Sequence, residues 1–223
     1  MADNLMEELK MNWRRWVFIL VMSISMGGLA TGETASQIPL RDFFRNPELS
    51  SLELSPDGKQ VAFLAPVERR LNLFVQEVSG ENPRQVTDVR DRDIGGYFWK
   101  NANTLIYLKD DGGDENYHLY AVDIVSGQTR DLTPFPGVRS GIVDDLEDIE
   151  DEVLIDMNQR RLDVFDVYRL NVKTGEMTLV AENPGNYIGY LTDHAGKVRV
   201  ALAKDAEQNR NILLYPATGQ QEI

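Results

Sequence analysis

Beyond residue 50, apolar and polar residues alternate in short runs, and no segment sustains the 3.6-residue period of an amphipathic helix. The runs "KQVAFLA" (59–65), "LNLFVQEV" (71–78), "NTLIYLKD" (103–110), "HLYAVDIV" (118–125), "DEVLIDM" (151–157), "DVYRLNV" (166–172), "KVRVALA" (197–203) and "NILLY" (211–215) each have the length of a strand. All are rich in β-branched and aromatic residues. They predict an all-β chain.

The runs keep a period. Those around Phe74, Tyr120, Tyr168 and Leu214 lead into glycine turns at Gly80, Gly127, Gly175 and Gly219, with strand offsets of 46, 48 and 46 residues and turn offsets of 47, 48 and 44. A further short β-like run follows the first three turns, as "RQVT", "RDLT" and "MTLVA". A hairpin precedes each unit's third strand: "SPDGKQVAF", "KNANTLIYL", an acidic stretch ending "EDEVLIDM", and "TDHAGKVRVAL". In "SPDG", Asp-Gly supplies the positive φ of a tight turn and Pro56 restricts the residue before it.

Four short antiparallel strands in about 46 residues, repeated, are the signature of β-propeller blades, each small sheet burying its faces on its neighbours. A β-sandwich or an irregular all-β domain would account for the strands, but gives no reason for the glycine turns to keep step. The expected fold is therefore all-β, with about four blades of four antiparallel strands in an incomplete propeller. The expected boundaries are a signal peptide over 1–30 and an approach segment with a short helix near Pro39 over 31–50. Blades follow at about 51–90, 91–136, 137–183 and 184–223, the last incomplete.

The first segment differs in kind. A short basic stretch, "NWRR" (12–15), precedes the apolar run "WVFILVM" (16–22), which fades through Ser23, Ser25, Gly27 and Gly28. This is the order of a secretory signal, with cleavage expected after Ala30 and Met11 as an alternative start. An uncleaved anchor is the other reading, but the run is short of the roughly 20 residues of a spanning helix. The 223-residue chain carries a net charge of −13 and no cysteine. The acidity argues against nucleic acid and anionic membranes as partners. An exported chain without thiols must rest on packing, which suits a bacterial periplasm.

Candidate chemistry is sparse. The two histidines, His118 at the start of a strand and His194 in the turn "TDHAG", fit packing and turn roles better than a catalytic triad. The loop "DDGGDEN" (110–116) offers oxygen ligands of the kind Ca²⁺ takes, but matches no calcium-loop spacing, and a solvated hairpin loop is preferred. The run "DDLEDIEDE" (144–152) holds seven carboxylates and is expected to be an exposed connection. Tyr97, Phe98, Trp99, Tyr107, Tyr117 and Tyr120 could form a stacking surface, but inter-blade core is their commoner use. No residue is assigned a catalytic, cofactor-binding or metal-ligating role, and no cofactor is expected.

Two longer stretches carry a family resemblance. "LSPDGKQVAF" resembles the repeat shared by Tol-associated propellers and the prolyl oligopeptidase family of serine peptidases. "YFWKNANTLIYLKDDGGDENYHLYAVDIVSGQTRDLTPFPGV" resembles more specifically the second blade of exported bacterial members akin to dipeptidyl aminopeptidases and acylaminoacyl peptidases, and "DVYRLNVKTGEMTLVAENPG" their third. The resemblance runs from about Ile38 to Tyr215. It implies a propeller capping an α/β-hydrolase domain and restricting which peptides reach a serine in a Gly-x-Ser-x-Gly turn. That pattern does not occur here: Gly137-Val138-Arg139-Ser140-Gly141 has the wrong spacing and reads as an inter-blade turn.

The expectation is thus an N-terminal, substrate-gating propeller fragment of an exported peptidase, unable to hydrolyse peptides alone. It would meet peptide substrates only with the remaining blades and hydrolase domain, which another chain could supply. A freestanding periplasmic propeller that binds a protein or peptide partner is the alternative.

Overall fold

A computed structural model describes residues 37–204 and 210–214; the segment expected to be a signal and the turn at Gly219 lie outside these residues. The chain divides into two compact units, Met1–Arg45 and Asn46–Ile223. Among the described residues of the first, a 3-10 turn, Leu40–Phe43, follows Pro39, whose carbonyl accepts the Asp42 amide at 2.9 Å.

The second unit is a series of antiparallel meanders. The first sheet holds β1 (Ser50–Leu54), β2 (Gln60–Val67), β3 (Arg70–Glu77) and β4 (Arg84–Gln85). The second holds β5 (Gly96–Asn101), β6 (Thr104–Lys109), β7 (His118–Asp123) and β8 (Thr129–Asp131). The third holds β9 (Ser140–Asp144), β10 (Glu152–Arg161), β11 (Val164–Asn171) and β12 (Met177–Ala181). The fourth shows three strands among the described residues: β13 (Tyr187–Thr192), β14 (Val198–Lys204) and β15 (Arg210–Leu214). Within every sheet, spatial order is chain order, which is the wiring of propeller blades.

Local chemistry explains the repeated turns. In "SPDG" the Ser55 hydroxyl donates to Asp57 at 2.7 Å and accepts from the Gln60 amide, while Gly58 sits at φ +72°. After the third strands, Asp123 and Asn171 play one part: each side-chain oxygen accepts two amides of the turn, and Gly127 (φ +72°) and Gly175 (φ +79°) occupy the left-handed region that a β-carbon disfavours.

The core lies between blades. Both faces of the second sheet are buried, so consecutive residues point to different neighbours. Leu105 and Tyr107 pack with Leu73 and Val75 of the first blade, whereas Ile106 and Leu119 pack with Val153, Ile155 and Leu170 of the third. The third sheet repeats the scheme, with Leu154 and Val167 turned toward Tyr187, Tyr190 and Ala201 of the fourth. Between blades, the Arg84 guanidinium donates to the Ile124 carbonyl, and one repeat later Arg130 donates to Val172.

Candidate functional site

The first strands of successive blades are joined by side-chain hydrogen bonds. Tyr97 donates to the Ser51 carbonyl and the Trp99 indole to Glu53 at 3.2 Å; Thr192 donates to the Asp144 carboxylate. Where these strands begin there is a pocket of about 580 Å³, reached by all three later blades. Gly95 precedes β5, Ser140 and Gly141 open β9, Ile188 lies in β13, Tyr117 stands just before β7, and Asp156 and Phe165 come from β10 and β11.

Two charged groups define the pocket. The Asp156 carboxyl accepts backbone amides, from Gly141 and from Asp156 itself, and burial raises its pKa against the opposing pull of the Arg139 guanidinium. That guanidinium lies 5.9 Å over the Tyr117 ring and forms no ion pair among the described residues. The Ser140 hydroxyl, on a residue 2% exposed, has no hydrogen-bond partner. Gly141 permits the arrangement, because a β-carbon there would stand 2.6 Å from Asp156 Oδ1.

The residues singled out in the sequence are dispersed. His118 begins β7, contacts Asp131 at 2.9 Å through Nδ1 and stacks on Tyr120; His194 lies in the turn between β13 and β14. Tyr97, Trp99 and Tyr107 are buried between the first two blades, Tyr120 packs against the same cluster, and Phe98 packs toward the third blade. Tyr117 alone of these aromatics lines the pocket. The Gly137–Gly141 lookalike is divided: Gly137 turns at φ +73°, while Ser140 and Gly141 already belong to β9.

The two acidic stretches bind cations of the chain itself. In the 110–116 loop, Asp110 is 2% exposed and takes Arg92 Nε at 3.0 Å and the Glu115 amide. Its burial favours the neutral acid, but these donors prevail and hold its pKa below the ordinary value. Within residues 144–152, the carbonyls of Asp145 and Leu146 cap the Lys100 ammonium, with the Leu146 contact at 2.8 Å. Lys100 is 4% exposed, and burial lowers its pKa although four nearby carboxylates pull the other way. Among the described residues, no group of three or more His, Asp or Glu side chains is arranged to hold a metal ion.

The chain is 35% identical over 183 residues to dipeptidyl aminopeptidase BIII of Pseudoxanthomonas mexicana, a match covering 80% of this chain and 26% of that protein. Over four-fifths of its length the chain thus resembles a segment of a dipeptidyl aminopeptidase, at 80% coverage. A second relative, dipeptidyl peptidase family member 6 of Caenorhabditis elegans, is 33% identical over 187 residues, covering 80% of this chain and 25% of its own length. The chain thus spans about a quarter of each. No protein-family model matches it. In fold it is similar to the β-propeller domain of the trilobed protease from Pyrococcus furiosus, with a TM-score of 0.52 and 13% identity over 78% of this chain and 57% of that one.

The charged pair of the pocket, Arg139 and Asp156, was not foreseen from the sequence. Arg139, just before β9, and Asp156, in β10, are 17 positions apart, each looking like an ordinary charged residue of a strand or connection. The alternation of "EVLIDMN" did carry one signal: Asp156 shares its face of β10 with Leu154 and Asn158, which are both buried.

Proposed function

We propose that the blades of this chain form the substrate-gating propeller segment of an exported prolyl-oligopeptidase-type peptidase, and that these residues alone do not hydrolyse peptides. The observation that carries this is the 35% identity to dipeptidyl aminopeptidase BIII along a series of propeller blades. It is supported by the lack of any Gly-x-Ser-x-Gly in the sequence and by His118, which is tied to Asp131 on a strand. Export rests on the basic and apolar order of residues 12–22, with the periplasm as destination. Peptides are then met in company with further blades and a hydrolase domain, on this polypeptide or another.

Purified protein would be assayed on dipeptide and prolyl-peptide substrates, with its molar mass measured by light scattering on the same fractions. No turnover is expected. Hydrolysis that persists through repurification and is blocked by a serine-directed fluorophosphonate would overturn the reading. For the gating role, the chain would replace the matching segment of dipeptidyl aminopeptidase BIII. Turnover of short chromogenic substrates should survive while selectivity against longer peptides changes; unchanged selectivity would remove the gating claim.

A further inference from the structure

Ion pairs join several charged side chains of these blades. Arg92 meets Asp110, Arg160 meets Asp166, and Arg169 meets Glu152 at 2.8 Å. In the pocket at the start of β9, by contrast, an acid and a base share one space without forming an ion pair. Asp156 receives backbone amides alone, from Gly141 and from its own residue, and Arg139 offers its guanidinium to an aromatic face. Leaving a carboxylate desolvated and unpaired is unfavourable, as is leaving the Ser140 hydroxyl without a partner. Beside these polar groups, Leu108, Ile142, Phe165 and Ile188 supply an apolar part of the lining.

We propose that this pocket binds a small zwitterion with an apolar body, of the free α-amino acid kind, its ammonium group on Asp156 and its carboxylate on Arg139. A guest of that form supplies the charge each residue lacks and places its side chain on the apolar walls. A simple cation would satisfy Asp156 but be repelled by Arg139, and a simple anion would meet the reverse. The volume of about 580 Å³ is in the range of small-molecule sites. Gly141 is part of the device, because its missing β-carbon leaves room for the carboxyl that accepts its own amide. The inference goes beyond peptide gating and does not depend on it.

The test is titration calorimetry on the whole protein with L-phenylalanine, N-acetyl-L-phenylalanine and L-phenylalaninamide. Free phenylalanine should bind at least about tenfold more tightly than either blocked compound, a gap of about 1.4 kcal/mol. Asp156→Asn, Arg139→Gln and Gly141→Ala should each weaken it by about tenfold or more. No binding at millimolar phenylalanine, or either blocked compound binding as tightly as the free one, overturns the proposal. So does an Asp156→Asn protein that binds normally. If the variants unfold, the comparison of the three compounds on the unaltered protein decides alone. The hydrolysis assay above reads a different property, so either idea can fail without the other.

Discussion

The first and third blades tether the connection that follows them from one register position, with different chemistry. Asn72 and Asp166 each lie two residues before an aromatic of the third strand, Phe74 and Tyr168, and both are fully buried. Asn72 works without charge: its amide oxygen accepts from the Thr87 hydroxyl at 3.0 Å and the Val89 amide at 2.7 Å, and its NH₂ donates to the Val89 carbonyl. Asp166 takes a two-pronged contact from Arg160, at 2.7 and 2.8 Å, and the Asn183 amide at 2.7 Å, while Arg160 also donates to the Asn183 carbonyl. In the second blade the position is His118, paired with Asp131. The repeat therefore fixes where a polar tether must stand and leaves its charge open. A neutral tether is indifferent to pH, whereas a charged one is strong while intact and costly when halved.

The largest effect should come from halving the charged tether. Asp166→Ala is expected to destabilise the protein by about 3–5 kcal/mol in urea unfolding, because Arg160 loses its buried two-pronged partner and the Asn183 amide its acceptor. A loss under about 1 kcal/mol would show that the tether does little. Acid should remove the same advantage. The Arg160 hydrogen bonds hold the Asp166 pKa below its ordinary 3.8, so its stabilisation is present above about pH 4 and fades as the pH falls through the lower folded value. The stability gap between the unaltered protein and Asp166→Asn should accordingly narrow below pH 4, and a constant gap would contradict the charge-based account.

Asn72→Ala is expected to cost less, about 1–3 kcal/mol, through the unsatisfied Thr87 and Val89 groups, and to cost the same at pH 4 and pH 7. A strong pH dependence there would break the contrast between the blades. The smallest effect concerns their second hairpins. Glu68 and Arg69 occupy the two-residue turn of the first blade at φ +47° and +74°, whereas the third blade's Leu162 and Asp163 avoid positive φ. Asn-Gly is the pair such a turn favours, so Glu68→Asn with Arg69→Gly should stabilise by about 1 kcal/mol. The thermal midpoint should rise; a fall would mean that the charges of Glu68 or Arg69 matter more than the backbone.

Much of the architecture could be read before the structure. Period-2 alternation with both faces apolar marks strands packed on two sides, and "DG" at 57–58 marks a hairpin that the structure places between β1 and β2. The turn at Glu68–Arg69 gave no such mark, because neither residue favours positive φ; the unbroken pairing from Gln60 opposite Glu77 to Val67 opposite Arg70 holds it in place. The acidic run at 144–152 looked solvated because the cation beneath it, Lys100, belongs to another blade.

The sequence by itself determined the repeat, the strand order within each blade and the glycine turns, since all of these depend on neighbours within a few residues. It also carried the relationship to the peptidases. Only the tertiary structure decided which charges find partners. Lys100 beneath the acidic loop, Arg84 on Ile124, and Arg139 beside an unpaired Asp156 depend on how one blade faces the next. Electrostatic pairing acts through distance and burial, and those are set by packing between segments far apart in the chain.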